Sequence, residues 1–308
     1  MARAMRAHEP TLRTAYAACR RINAHYGRSY FLATRLLPAR RRPAVHALYA
    51  FARLADEIVD APGPDPSGAL GELEICLKDA LAGEPTPHPV LPALADTVRR
   101  YDLDPGLFTD FLASMRMDLT VTDYATLDDV AVYTHGSAGV IGLMMLPILG
   151  TVGPRAEAAP YARGLGEAFQ ATNFLRDVAE DLARGRVYLP ADHLAAFGVD
   201  RERLLHAVRT GRTDRAIRRA IAHLVAHTRA LYRAAEPGID LLDPVARPCV
   251  ETASRLYGGI LDEIAAADYD VLAGRAVVPP ARRLAVALPG AARCLAARVR
   301  TREPARGA

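Results

Sequence analysis

Asp56 and Asp60 stand four residues apart at the end of an apolar run, residues 44–55, in which alanine, leucine and aromatic side chains recur with helical spacing. Side chains at i and i+4 share a helix face, so both carboxylates project together from a segment whose composition marks it as buried. About 120 residues later the pattern returns after a second apolar stretch, as Asp177 and Asp181. An arginine accompanies each pair: Arg53 lies three residues before Asp56, and Arg176 directly precedes Asp177. One Asp-x-x-x-Asp alone is commonly a solvated helix face. Two of them, each beside an arginine and each following apolar sequence, point instead to two helix ends facing one apolar cavity. Carboxylates so placed hold Mg²⁺, which takes oxygen ligands and bridges carboxylates to phosphate oxygens. Glu57 falls off the shared face and is not expected to be a ligand.

The rest of the chain is consistent with helices around such a cavity. Alternating β-branched runs are absent and helical spacing recurs almost throughout, which predicts an all-α protein. Helices are expected over 11–26, from Pro43 to the first acidic pair, and over 69–82, 90–101 and 105–119. The next starts at Thr126, with Asp128 and Asp129 favouring its N-terminal dipole, and runs through the glycines at 136, 139 and 142. Further helices are expected over 154–183, 201–209, 213–235 and 241–272. Residues 28–38 read as a connector. The glycines thin one helix wall, which suggests space for a long substrate tail. No Gly/Ser linker divides the 308 residues, so one catalytic domain is expected over 1–285, followed by a basic tail, 286–308.

Composition excludes little but orders the alternatives. The net charge of +4 and pI of about 9.0 suit an anionic substrate or a lipid surface as well as nucleic acid. A basic stripe with interleaved aromatics is lacking and there is no tryptophan, so nucleic acid is not expected as a partner. The four cysteines form no Cys-x-x-Cys, which suits free thiols in a reducing cytoplasm. Residues 1–10 are polar and do not read as a signal peptide, and no unbroken apolar run reaches the ~20 residues of a membrane span. His223 and His227 are four apart but lack a third ligand in a zinc pattern. Nucleotide-binding glycine motifs and Gly-x-Ser-x-Gly are absent.

Several polar residues accompany the acidic pairs. Arg28 and Arg35 precede the first acidic helix, and Arg186 follows the second pair; a guanidinium matches phosphate oxygens bidentately. Gln170 and Asn173 interrupt an apolar helix on or beside the metal face. Tyr133 and Tyr188 are candidates for the pocket wall, and Asp118 for an acid supporting it.

Two blocks carry a family resemblance. Ser29-Tyr30-Phe31-Leu32-Ala33-Thr34-Arg35-Leu36-Leu37-Pro38, followed by Ala47 through Asp60, resembles the phytoene/squalene synthase family. So does Gln170-Ala171-Thr172-Asn173-Phe174-Leu175-Arg176-Asp177-Val178-Ala179-Glu180-Asp181, with Gly185-Arg186-Val187-Tyr188-Leu189-Pro190 after it. Tyr133 with the following Gly-Ser-Ala-Gly segment, Tyr257 and Arg275 match further positions. The resemblance covers roughly residues 15–285. It departs at Glu57, where many members carry aspartate, and at Ala52, where many carry cysteine.

What the resemblance implies is a single-domain isoprenoid-synthase helical bundle around a central cavity, and a prenyltransferase that joins two prenyl diphosphates head to head. By match, Asp56, Asp60, Asn173, Asp177 and Asp181 would hold Mg²⁺ or Mn²⁺. Arg28, Ser29, Arg53, Gln170, Asn173, Arg176 and Arg275 would bind substrate, and Arg53, Tyr133, Tyr188 and Tyr257 would act at the reacting centre. The detail of both blocks looks most like bacterial phytoene synthases, so the expected reaction joins two geranylgeranyl diphosphates into phytoene, through a cyclopropylcarbinyl diphosphate and without NADPH. The alternatives are the farnesyl version, giving presqualene diphosphate, dehydrosqualene or squalene, and a non-catalytic homologue that binds prenyl lipids. Arg282, Arg283, Arg293, Arg298 and Arg300 could form a basic face for peripheral membrane contact.

Overall fold

The structure, a computed structural model, describes residues 11–60 and 63–300; within the last helix it describes no side chain at 287, 291 or 294–300. Among the described residues the regular elements are helical, apart from two isolated bridges, Asp123–Val187 and Thr151–Leu242. In chain order the helices are α1 (Leu12–Tyr26), α2 (Arg28–Thr34), α3 (Arg42–Asp60), α4 (Pro66–Ala82), α5 (Leu91–Tyr101), α6 (Gly106–Met117), α7 (Leu127–Thr134), α8 (Val140–Leu149), α9 (Arg155–Arg176) and α10 (Val178–Ala183). Then come α11 (Ala191–Ala195), α12 (Arg201–Thr210), α13 (Arg215–Ala235), α14 (Arg247–Ala266) and α15 (Pro280–Arg300).

Local chemistry sets many of the boundaries. Thr126 and Asp129 cap α7 reciprocally, each side chain accepting from the other's backbone N–H. Asp65, Asp200 and Asp214 accept from the first-turn amides of α4, α12 and α13. Two apolar clusters form the core. One gathers Phe51, Phe108, Phe111, Leu91 and Met144 around α3, α5, α6 and α8. The other gathers Phe174, Tyr188, Ile221 and Leu261 around α9, α13 and α14. Phe169 of α9 packs against both.

The structure departs from the sequence reading in instructive places. The connector 28–38 contains α2. The helix expected over 154–183 breaks at Asp177, whose φ of −106° and ψ of 12° separate α9 from α10. The helix expected over 241–272 is shorter, and a 3₁₀ turn, Glu236–Leu241, precedes it. The short α11 had no periodic signal of its own. Between α7 and α8 the backbone forms a π-turn, His135–Gly139, so that 127–149 is one continuous helical segment of 23 residues. By length and composition this segment would cross a membrane, yet more than half of it is buried, between α6 and α9.

α15 carries three of the arginines expected to form a basic face, and they are partly exposed and paired. Its described arginines are tethered: Arg282 pairs with Asp262 and Glu263, both at 2.7 Å, and Arg293 lies 3.0 Å from Glu251. Arg283 donates to the Val278 carbonyl at 2.8 Å. These contacts dock the helix on α14 and its flank, and leave Leu284 and Leu288 exposed. The helix begins before residue 286, so the expected tail boundary falls inside it. The side chains of Arg298 and Arg300, and residues 301–308, lie outside the described residues.

The glycines of the π-turn region serve close packing, and Gly142 also lines an apolar chamber. A Cβ on Gly142 would strike the Ala162 carbonyl of α9, and one on Gly136 would lie 2.6 Å from the Asp110 carbonyl of α6. Gly142→Val is therefore expected to lower Tm by several degrees, since overpacking of this kind costs about 1–3 kcal/mol. A thermal melt checks this; an unchanged Tm with altered chain-length selectivity would favour the tail-space reading.

Candidate active site

Between the two apolar clusters lies a cavity of about 680 Å³. The sequence predicted Arg28, Ser29, Arg53, Asp56, Asp60, Tyr133, Gln170, Asn173, Arg176, Asp177, Asp181, Tyr188, Tyr257 and Arg275 as site residues, and all fourteen line it. α3 supplies Arg53, Asp56 and Asp60, and the α9–α10 junction supplies the second acidic pair. Arg35 is exposed at the end of α2 and does not line the cavity, and Glu57 is exposed as expected.

The acidic pairs differ in how their charge is met. Asp177 accepts a fork from Arg176, with contacts of 2.8 and 2.6 Å, and a second from Arg275 at 2.9 and 3.2 Å. Asp60 pairs with Arg186 at 3.0 Å and lies 3.9 Å from Arg184, which is 3.8 Å from Asp181. Arg186 also donates to the Val59 carbonyl at 2.7 Å, closing the C-terminal turn of α3. The exit loop after the second pair is thus bolted to the helix end that carries the first. Asp56 makes no ion pair among the described residues. Burial and the adjacent Asp60 push its carboxyl up to about 7. Burial and Asp177 do the same for Asp181, also to about 7.

Behind the acids, Asp118 accepts from both Tyr133 and Tyr188 hydroxyls at 2.7 Å, which fixes the two rings. Burial holds Asp118 above the usual carboxylate range despite these donors. Tyr188 stacks on Phe174 at 4.5 Å, and Tyr257 stacks on Tyr30 at 4.6 Å. The Arg53 guanidinium lies 4.5 Å from the centre of the Tyr26 ring, with its Nε buried and unpaired.

A second chamber, of about 280 Å³, adjoins the first and is lined mainly by apolar side chains of α2, α3, α8 and α9, among them Ala33, Leu48, Ile141, Met145, Leu165 and Phe169. Tyr30, Tyr49, Ala52, Asp56, Ser137 and Gln170 border both chambers and form the wall they share.

The sequence reading missed Tyr30, Tyr49, Ser137 and Arg184 as cavity residues. Spacing would have found two: Tyr49 precedes Asp56 by two helical turns, and Arg184 follows Asp181 by three residues. Ser137 depends on the π-turn, which leaves no signal in the periodicity.

Among the described residues no three carboxylate, imidazole or thiol groups converge into a closed metal cage. The residues present nevertheless suit a divalent cation shared with a phosphate ligand. Two half-buried carboxylates, Asp56 and Asp181, have proton affinity raised by desolvation and by the aspartate beside each. Asn173 keeps a buried carbonyl oxygen without a partner, while its amide donates to Gln170 at 3.1 Å. Hard oxygen donors of this kind are what Mg²⁺ takes, with water and substrate oxygens completing its shell.

Comparison with known proteins bears on the family and the fold. The family model for squalene/phytoene synthase matches residues 23–282. A phytoene synthase of Arthrospira platensis is 39% identical over 87% of this chain and 90% of its own length. A chloroplastic phytoene synthase of Zea mays is 38% identical over 91% of this chain, which spans 66% of that longer protein. Among solved structures, a dehydrosqualene synthase in complex with ligand superposes with a TM-score of 0.84 at 28% identity, covering 92% of this chain and 98% of that one. A squalene synthase from Alicyclobacillus acidocaldarius gives 0.74 at 29% identity, covering 84% and 95%.

The raised carboxyls have a consequence for pH. An unfolded aspartate titrates near 3.8, whereas Asp56 and Asp181 in the fold titrate near 7. Between those values the folded protein holds protons that the unfolded chain has released. These two groups therefore contribute stability at low pH that is lost as pH rises through about 7. A divalent cation competes with those protons, so Mg²⁺ is expected to raise Tm more at pH 8 than at pH 6. Asp56→Asn combined with Asp181→Asn should flatten that difference. Melting curves with and without Mg²⁺ at both pH values check it.

Proposed function

The chain belongs to the squalene/phytoene synthase family, and on that premise we propose that it joins two geranylgeranyl diphosphates head to head to give phytoene. It is a prenyltransferase. The observation that carries the reading is the pair of adjoining chambers, one lined with carboxylates and arginines and one apolar, which share a wall of six residues. A prenyl diphosphate has the same division. Its diphosphate suits the first chamber, its tail the second, and its reactive C1 then falls at the shared wall.

In this reading Arg28, Ser29, Arg53, Arg176 and Arg275 bind diphosphate oxygens. Arg176 and Arg275 now share Asp177; a diphosphate offers both guanidinia an alternative partner and frees that carboxylate. Asp56, Asp60, Asp177 and Asp181, with the unpartnered Asn173 oxygen, are placed to hold Mg²⁺ or Mn²⁺. When bound, the metal supplies positive charge that neutralises the departing diphosphate. The first C1–O bond breaks, and the electron pair leaves with the diphosphate. The double bond of the second prenyl chain attacks the allylic cation, and loss of a proton from the resulting cation closes the ring of a cyclopropylcarbinyl diphosphate. A second ionisation opens and rearranges the ring, and proton loss ends the sequence with no hydride donor required. Tyr133 and Tyr188, locked by Asp118, and Tyr257, held against Tyr30, wall the reacting region with aromatic faces. These stabilise a cation and exclude water.

Incubation of the protein and Mg²⁺ with each labelled prenyl diphosphate, with and without NADPH, tests the reading by identification of the hydrocarbon. Phytoene from the C20 substrate, unaffected by NADPH, is expected. A C30 hydrocarbon from farnesyl diphosphate alone would move the assignment to the farnesyl version, and tight binding without turnover would favour the prenyl-lipid binder.

We also propose that the product leaves along α15. Val277, on the cavity rim, and Leu284 and Leu288 are more than half exposed. With the described arginines of α15 tethered, these apolar side chains rather than a basic face would meet the bilayer. Leu284→Asp together with Leu288→Asp is expected to reduce sedimentation with lipid vesicles while leaving the melt unchanged; undiminished sedimentation would remove this role.

A further inference from the structure

Ser137 sits in the shared wall, bordering both chambers, and its hydroxyl oxygen is closed off from solvent with no hydrogen-bond partner. One other buried helical hydroxyl, Thr252 of α14, shares this condition, and it lies outside the cavity. A hydroxyl on a helix ordinarily donates to the carbonyl four residues back. Thr34, Thr97, Thr134, Thr172 and Thr228 all do so here, at 2.7–3.0 Å. For Ser137 the equivalent acceptor is the Tyr133 carbonyl. That oxygen receives the Ser114 hydroxyl of α6 at 3.1 Å instead. The π-turn His135–Gly139 changes the backbone register at the same place. Ser137 is thereby released from its local partner and held at the boundary between the polar and apolar spaces.

A buried donor without an acceptor is destabilising unless a ligand completes it. The ligand atom that belongs at this boundary is an oxygen of the diphosphate next to C1. We propose that Ser137 is a catalytic hydrogen-bond donor to the departing diphosphate. As the C1–O bond breaks, the electron pair and the negative charge move onto diphosphate oxygen. The hydroxyl donates to that growing charge and keeps its own proton. A donor already in place, in a site screened from water, stabilises the transition state more than the bound substrate. The effect therefore falls on kcat and not on binding. The inference rests on the head-to-head reading only for the identity of the leaving group.

The test compares wild type, Ser137→Ala and Ser137→Thr on each prenyl diphosphate with Mg²⁺, measuring diphosphate release, KM and Tm. An unreactive thiodiphosphate analogue of the substrate reports binding. Ser137→Ala is expected to lower kcat about tenfold to a hundredfold, at or below the effect of removing one oxyanion donor. KM and analogue affinity should stay within about threefold, and Tm should hold or rise, because an orphaned buried hydroxyl has been removed. Ser137→Thr keeps the hydroxyl and is expected to recover most of the loss. The proposal is overturned if Ser137→Ala keeps wild-type kcat, if its loss follows Tm or analogue affinity, or if Ser137→Thr is no better than alanine. A wild type that releases diphosphate from none of the substrates sinks the functional reading and this proposal with it, whereas an active wild type matched by Ser137→Ala sinks this proposal alone.

Discussion

Arg186 is the contact on which the geometry of the cavity depends. It leaves the exit loop after the second acidic pair, reaches the carboxylate of Asp60 and caps the carbonyl of Val59. Two segments more than a hundred residues apart are thus joined at the place where both carry negative charge. Without a cation there, Asp60 and Asp181 would repel across the cavity. Arg184, which lines the cavity, adds to the same bridge. The guanidinium is suited to this because its fork serves a carboxylate and a carbonyl at once. Since Arg186 is itself buried, the pair is a matter of position more than of net stability: a buried ion pair returns little beyond its desolvation cost. What it achieves is a fixed separation between two clusters of acid.

Positive charge is otherwise distributed unevenly, and the unevenness has a chemical meaning. Asp177 is held by two arginines while Asp56 has none, although both belong to outwardly similar motifs. Asp177 therefore rests in a closed set of ion pairs, while burial and Asp60 raise the proton affinity of Asp56. Under the proposed function, a diphosphate with its metal ions would meet both needs, offering the arginines of Asp177 another partner and Asp56 positive charge.

How much of this was legible in the sequence follows from what each feature depends on. The all-helical fold was readable because helical periodicity is a local property repeated over long segments. The acidic pairs were readable because i,i+4 spacing translates directly into a shared face, and the arginines beside them because they are neighbours in the chain. The bond from Arg186 to Asp60 was not, since it is made only when distant segments meet. The close packing at glycines 136 and 142 was not legible for a related reason. A missing side chain can leave a space or admit a neighbouring helix, and only the position of Ala162 and Asp110 decides between the two. The pairing of Arg282 with Asp262 and Glu263 was not legible because those acids lie on another helix.

The irregular backbone is where local pattern and function part company. The π-turn at His135–Gly139 and the break at Asp177 both fall on the cavity wall, in helices whose remaining turns are regular. At Asp177 the amide ladder continues across the break, with the Asp181 N–H donating to the Asp177 carbonyl at 2.9 Å. The two carboxylates remain one turn apart while the helix axis is free to change. At the π-turn one extra residue is fitted into the turn, which frees Ser137 from the hydrogen bond that its neighbours in other helices make. A regular helix satisfies its own polar groups and presents little to a ligand. Each departure from regularity here leaves a polar group turned towards the cavity, in the part of the chain where the sequence pattern alone predicted an unbroken helix.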